Sequence, residues 1–348
     1  MPGSPPSSCR GSATSSSMSS SGSAAPFRVR ACVARARGHV PLGVGLPALL
    51  ALAAALAGCG LGAGPTPSGV RLSITQDFGA LPVGSSGSPR AVGQETVMSL
   101  LERNYEVKTR FGGGFVESVD GHSGGTQSGE PIDWFYYVNG VQAPKGAADT
   151  NVDGGDRIWW DLHDWSQTDS IPAVVGSYPA PFVGGIEGKR YPVRVECAEP
   201  SGSACATVHA RLSALGVPVA GAAVSDEEEQ LTLRVLVGPY SKLGDSFSVH
   251  DVGAGPRYSG VYARFAGGGR VLELLDPGGA VARKLGAGAG LIAATRYSQE
   301  APVWLVTGTD AAGADRAAGS LSERALHDSF ALAIEPSGTP TPLPASGL

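Results

Sequence analysis

Charge is scarce in this chain: Asp, Glu, Lys and Arg together make up 16% of 348 residues, and the formal net charge is only −5. Lysine occurs at Lys108, Lys145, Lys189, Lys242 and Lys284 alone, so arginine carries nearly all of the positive charge. Beyond residue 59 no basic residues cluster, which excludes the electrostatic footprint that nucleic-acid binding requires. Catalytic signatures are missing as well. No Gly/Ser stretch reads G-x-S-x-G between a strand and a helix, so there is no nucleophile elbow. VLVGPYS and WLVTGTD turn from strand to loop but lack the G-K-[ST] ending of a phosphate loop. Acid–base pairs assemble through space and leave no local signature, yet nothing in the sequence asks for an enzyme and no catalytic residue is assigned. Cysteine is also sparse, at Cys9, Cys32, Cys59, Cys197 and Cys205.

What is present begins at the N-terminus. Residues 1–26 are rich in Ser, Gly and Pro and cannot bury a core; they are a disordered extension or follow a start codon assigned too early. Arg28, Arg30, Arg35 and Arg37 then precede the apolar run VPLGVGLPALLALAAALAG, which ends in Leu56-Ala57-Gly58-Cys59. A basic segment, an apolar segment and small residues before a cleavage point compose a secretory signal over 27–58. The LAGC ending resembles a bacterial lipobox, in which the cysteine is lipidated and becomes the new N-terminus. A permanent membrane span is the alternative, since the run approaches the roughly 20 residues a span needs. Pro41, Pro47 and three glycines within the run, and the cysteine itself, favour the lipobox. Either reading exports the remainder, and 59–69 reads as a linker. The expected setting is the cell envelope, with the chain anchored through lipidated Cys59 on the extracytoplasmic face of the membrane.

In an oxidising compartment Cys197 and Cys205, separated by a short Pro/Ser/Gly loop, most simply form a disulfide. A metal pair would need further thiols or histidines, and only His209 is near in sequence. Alternation predicts a strand in VRLSITQD, helical spacing of Val97, Leu100 and Leu101 predicts a helix in ETVMSLLERNYEV, and GGFVESVDG, WFYYVNGVQA and DRIWWDLHD read as strands. These form one α+β unit over 70–165. Residues 166–190 are a Pro/Gly-rich connector or an extended edge. A second module spans 191–335, with YPVRVEC, a helix in ACATVHARLSALG and a buried strand at the end of EEEQLTLRVLVGPY. APVWLVTGTD, DRAAGSLSERAL and DSFALAIEP repeat that order, with a meander between, and 336–348 is expected to be a disordered tail. The predicted fold class is α+β, two sheet-plus-helix modules.

Asp149-Thr-Asn151-Val-Asp153-Gly154 matches the opening of a calcium loop, but its twelfth position is Trp160 where a bidentate Glu is needed. A turn built on Asp-Gly-Gly-Asp is the simpler reading, and no metal ligand is assigned. Asp161 and His163 share a strand face, and a solvated strand end is expected there. Glu227, Glu228 and Glu229 read as a solvated run.

The aromatic stretch 134–165 is the most distinctive part of the chain. Trp134 and Tyr136 fall on one face of their strand, Phe135 and Tyr137 on the other; Trp160 and Trp159 alternate likewise. One set must be core, and the other is either covered by a neighbour or exposed as an interface. WFYYVNG, Gly146-Ala147 and GGDRIWWDLHDW resemble the bacterial transcobalamin-like C-terminal domain family through Trp134, Tyr136, Asn139, Gly140, Gly146, Ala147, Gly155, Asp156, Ile158 and Trp160. The resemblance covers roughly 70–165. It implies a small β-rich domain and admits a cobalamin-like corrinoid as ligand, although the helical barrel that supplies most of the grip in vertebrate carriers is absent. Trp134, Tyr136, Tyr137, Trp159, Trp160 and Trp165 are therefore the candidate binding surface. The expected role is ligand or partner binding, accessory to a membrane complex such as an uptake system; the alternatives are an extracytoplasmic enzyme with an interdomain site and a structural envelope protein.

Overall fold

The computed structural model describes residues 68–84 and 87–346, all within a compact unit spanning 62–348. The extension 1–26, the signal segment 27–58 and Cys59 lie outside the described residues. Among those described, no helix is long and apolar enough to cross a membrane. The fold is α+β.

The first module comprises β1 (Arg71–Gln76), β2 (Leu81–Pro82), α1 (Val97–Asn104), β3 (Val107–Arg110), β4 (Phe115–Val119), β5 (His122–Ser123), β6 (Gly125–Gln127), β7 (Glu130–Val138), β8 (Val141–Gln142) and β9 (Arg157–Asp164). Its main sheet runs β2-β1-β9-β7-β6, with β8 beside β7 and β3-β4-β5 as a separate small sheet. Strand β1 lies parallel to β9, and β7 antiparallel to it with Tyr136 opposite Trp160. Thr96 caps α1 by accepting the Ser99 N–H, and Val97, Leu100 and Leu101 bury the apolar stripe against the sheet.

The second module contains α2 (Ala180–Val183), β10 (Val193–Cys197), α3 (Ser203–Ala214), β11 (Val219–Ala223), β12 (Leu233–Pro239), α4 (Phe247–Ala254), α5 (Pro256–Ser259), β13 (Ala263–Ala266), β14 (Val271–Leu275), β15 (Val281–Leu285), β16 (Gly290–Thr295), β17 (Val303–Gly308), α6 (Ala311–Ser320), α7 (Glu323–Leu326), β18 (Ala331–Ile334) and β19 (Pro340–Leu343). Its sheet runs β11-β10-β12-β17-β16-β18-β19, parallel from β11 to β17 and antiparallel beyond. Strands β12, β16 and β17 are buried on both faces, as their unbroken apolar runs require. One face carries α3 and α6 over a core with Val195, Val208, Trp304 and Val306. The other face meets the β13-β14-β15 sheet and also the first module, through a core joining Tyr137 and Trp159 to Leu291, Ala293, Leu305 and Phe330.

Two expectations need correction. GLIAATRY does not continue the meander: β16 pairs with β17 and β18 in the main sheet, because its six residues are all buried. The segment 336–346 is not a disordered tail: β19 pairs with β18, and Leu343 and Ala345 enter the core. Residues 166–190, read as a connector or an extended edge, carry Ile171, Val174, Val175, Tyr178 and Phe182 into the two cores of the second sheet.

A buried ion pair fastens β10 to β12. Arg234 and Glu196 are both fully buried, with Nε and Nη2 donating to the two carboxylate oxygens at 2.8 Å each. Arg234 also donates to Glu228, and Arg194 to Glu229, so two of the three glutamates expected to be solvated serve as partners for these arginines. The disulfide joins Cys197, the last residue of β10, to Cys205 in the first turn of α3.

Candidate functional site at the seam of the two sheets

The first sheet has two aromatic faces, and both are covered. Trp134, Tyr136 and Trp160 pack with Leu72, Ile74 and α1 in one core, with Tyr136 stacked on Trp160 at 4.8 Å. The Trp134 Nε1 donates to the His122 carbonyl and the Tyr136 hydroxyl to that of Lys145, so their polar ends are used internally. Tyr137 is fully buried and Trp159 nearly so, on the opposite face, where Phe330 of the second module lies edge-on to both. Trp165 alone of the six remains half-buried, its Nε1 donating to Asp133 at 3.0 Å. The spare aromatic face is thus buried beneath the second module, and the six do not form an open surface.

What lies at that seam is polar. Asp161, in the middle of β9, is fully buried. Asp77, Phe78 and Gly79 follow β1 with φ of 54°, 57° and 86°, three successive left-handed residues that turn their N–H groups inward. Asp161 accepts from the Phe78 N–H at 3.1 Å, the Gly79 N–H at 2.8 Å and the Thr75 hydroxyl. A buried carboxylate needs such partners, because unpaired it would cost several kcal/mol. Thr75 in turn accepts from the Trp159 Nε1 at 2.7 Å.

His163 completes the network. Its Nδ1 lies 2.8 Å from Asp161 Oδ1, and its ring is stacked between Phe135 at 4.5 Å and Phe78 at 4.7 Å, with Phe330 edge-on. It is 2% exposed, so the expectation of a solvated strand end is corrected. An imidazole enclosed this way holds Asp161 in place and cannot reach a solute.

The second module closes the seam with the turn His327-Asp328-Ser329. Asp328 also has a left-handed φ, of 50°. The turn passes between two glycines that admit no side chain: a Cβ on Gly79 would fall 1.9 Å from the Asp328 carbonyl oxygen, and one on Gly176 would fall 2.9 Å from the Ser329 nitrogen. Asp77, His327 and Asp328 then line a cleft of about 590 Å³ together with Phe78, Arg283 and Pro342. Burial pushes the Asp328 carboxyl above the usual carboxylate range; the adjacent His327 pulls it back, and the Asp161 charge pushes it up again. Partial burial and then the same Asp161 charge raise Asp77. Two acids with weakened proton release therefore sit at one opening, which Arg283 also lines while its guanidinium donates to Glu335 and Thr341.

A smaller cleft, of about 260 Å³, lies between the Asp149–Asp156 loop and Lys145 of the first module and Glu187, which follows α2. Here the Asp-Gly-Gly-Asp segment is a turn: Asp156 accepts the Asp153 N–H on one oxygen and Asn139 Nδ2 on the other, each at 2.8 Å. Its carboxyl is raised, mainly by burial. Trp160, four residues on, is in the core and offers the loop no ligand.

Sequence reading missed Asp77 and Asp328, because they approach only through the packing of the two sheets. The sole local sign was a strand ending in Asp-Phe-Gly, which is equally an ordinary turn.

A family model described as a domain of unknown function, DUF4430, matches residues 94–164, which run from just before α1 to the end of β9. The match covers a minority of the chain and assigns no activity. No curated protein matches the sequence.

Proposed function

We propose that the chain is an extracytoplasmic lipoprotein, anchored through Cys59, that binds a small polar ligand in the cleft at the seam. The observation that carries this reading is the cleft itself: about 590 Å³, within the roughly 300–1,000 Å³ usual for ligand sites, lined by apolar and polar residues where two sheets meet. The export signal and lipobox, read from sequence, support an envelope setting, and the disulfide between Cys197 and Cys205 is in keeping with it. The likeness of WFYYVNG and GGDRIWWDLHDW to the transcobalamin-like family supports a binding module, accessory to a membrane uptake system. It supports a corrinoid less well, because the aromatic faces that would stack on one are enclosed.

The direct test is a thermal-shift screen of the purified full chain against amines, sugars, divalent cations, flavins, haem and corrinoids. A ligand at 100 times its Kd stabilises by about 2.7 kcal/mol. The expected result is a shift with a polar, hydrogen-bonding solute that Asp77→Asn or Arg283→Ala abolishes. A shift that both variants retain places the ligand elsewhere; no shift with any class leaves protein partners, to be sought by pull-down from membranes.

The convergence of Asp77 and Asp328 favours one other reading, an enzyme using the pair for acid–base work. Turnover of a bound solute that either Asp→Asn change abolishes, with binding retained, would distinguish it.

A further inference from the structure

Among the described residues a single trio of cation-ligating side chains has its donor atoms within 4.8 Å of one another: Cys197, Cys205 and His209. We propose that reducing the Cys197–Cys205 disulfide turns this trio into a binding site for a thiophilic divalent cation of the zinc class. The inference is independent of the seam cleft and of what binds there.

The site is built on three neighbouring elements. Cys197 ends β10, and Cys205 is the third residue of α3, where the positive end of the helix favours a thiolate. His209 lies one turn further along α3, four residues on and so on the same face as Cys205. Both cysteines are buried and His209 is half-buried, so the site opens to solvent on the histidine side. The ring rests over Gly221 of the edge strand β11, where a Cβ would come 3.3 Å from Nε2; glycine leaves the imidazole its room.

Oxidised, the two sulfurs are bonded to each other and carry no charge, which makes them poor ligands. Reduction by a phosphine takes oxygen from one water to phosphorus and its two hydrogens to the two sulfurs, breaking the S–S bond. The freed thiols can then separate by side-chain rotation on Cα atoms 5.8 Å apart. Zinc–sulfur and zinc–nitrogen bonds of about 2.3 and 2.0 Å call for donors roughly 3.5–3.8 Å apart, so the sulfurs must part from bonded contact, while the histidine already lies within 4.8 Å of both. On binding, both thiols release their protons, the neutral imidazole supplies the third bond, and water fills the fourth position. Three protein ligands with one open position describe a site that can exchange its metal. The disulfide would therefore act as a lock: closed where oxidant prevails, open to metal where a reductant reaches it.

The test titrates cobalt(II), a coloured stand-in for zinc, into the purified full chain before and after phosphine reduction, with the phosphine removed. The reduced chain is expected to take up one equivalent with a thiolate-to-cobalt charge-transfer band that zinc displaces; the oxidised chain should show none. His209→Ala should weaken binding by at least the roughly 10- to 100-fold that even an outer-shell loss causes. Cys205→Ser should remove the band, and because any cysteine outside the pair is the same in every arm, that loss assigns the signal. Circular dichroism of the reduced chain checks that α3 persists. No uptake on reduction, unchanged affinity in His209→Ala, or unfolding on reduction would each overturn the proposal.

Discussion

At the scale of single residues, Asp161 and Asp328 divide the work at the seam. Asp161 is saturated with donors and organises the turn that follows β1; Asp328, at the cleft mouth, has the adjacent His327 as its ion-pair partner at 3.0 Å. The raised Asp328 carboxyl has a definite consequence for stability. The folded chain keeps that proton to higher pH than the unfolded chain does, so the native state binds more protons between the two values. Stability then falls as pH rises from the unfolded value, near 4, through the raised folded value, and stays lowered at neutral pH. Asp328→Asn removes the penalty and suits the left-handed backbone, which asparagine tolerates. Its pairing with the largely exposed His327 contributes little. The variant is expected to raise Tm at pH 7 by about 1–4 °C and to flatten the decline above pH 4, while weakening ligand binding. A lower Tm at pH 7, followed by circular dichroism, would show that Asp328 is a structural residue instead.

At the scale of elements, legibility followed burial pattern. The run that became β12 read as a buried strand, and α1 showed its spacing, whereas the equally apolar β16 was read into the meander although it lies in the main sheet. β11, whose sequence is VAGAA, gave no alternation to read; it is a strand because β10 offers it a parallel edge. α4 and α5 lie among glycines and a proline, and α5 is only four residues long. β19 contains Pro340 and Pro342, which argue against a central strand but suit the outermost position it occupies. Its anchor is Leu343, 1% exposed in the seam core. Leu343→Ala is expected to cost about 2–4 kcal/mol, seen as a lower urea midpoint with an unchanged slope. A cost under 0.5 kcal/mol would mean that this strand is an ornament on the sheet.

At the scale of the whole molecule, two modules distinct by sequence share one core. Tyr137 and Trp159 of the first sheet and Phe330 of the second meet edge-on, and Arg157 reaches Glu323 across the same boundary at 2.8 Å. The proposed membrane tether belongs to this scale too. Cys59→Ala is expected to abolish incorporation of a labelled lipid precursor and release the chain from the membrane fraction; undiminished labelling would defeat the lipobox reading.

The division between what was legible and what was not has a physical basis. Strand and helix periodicity, the pairing of two cysteines eight residues apart and the alternation of the aromatic stretch are all set by neighbours along the chain, and the sequence by itself determined them. Which aromatic face is covered, why His163 is enclosed and not solvated, and that Asp77 and Asp328 share an opening depend on contacts between residues remote in sequence. Those are decided by how two amphipathic sheets bury their remaining apolar faces against each other. That choice exists only in three dimensions, so the seam and its cleft were the tertiary structure's to decide.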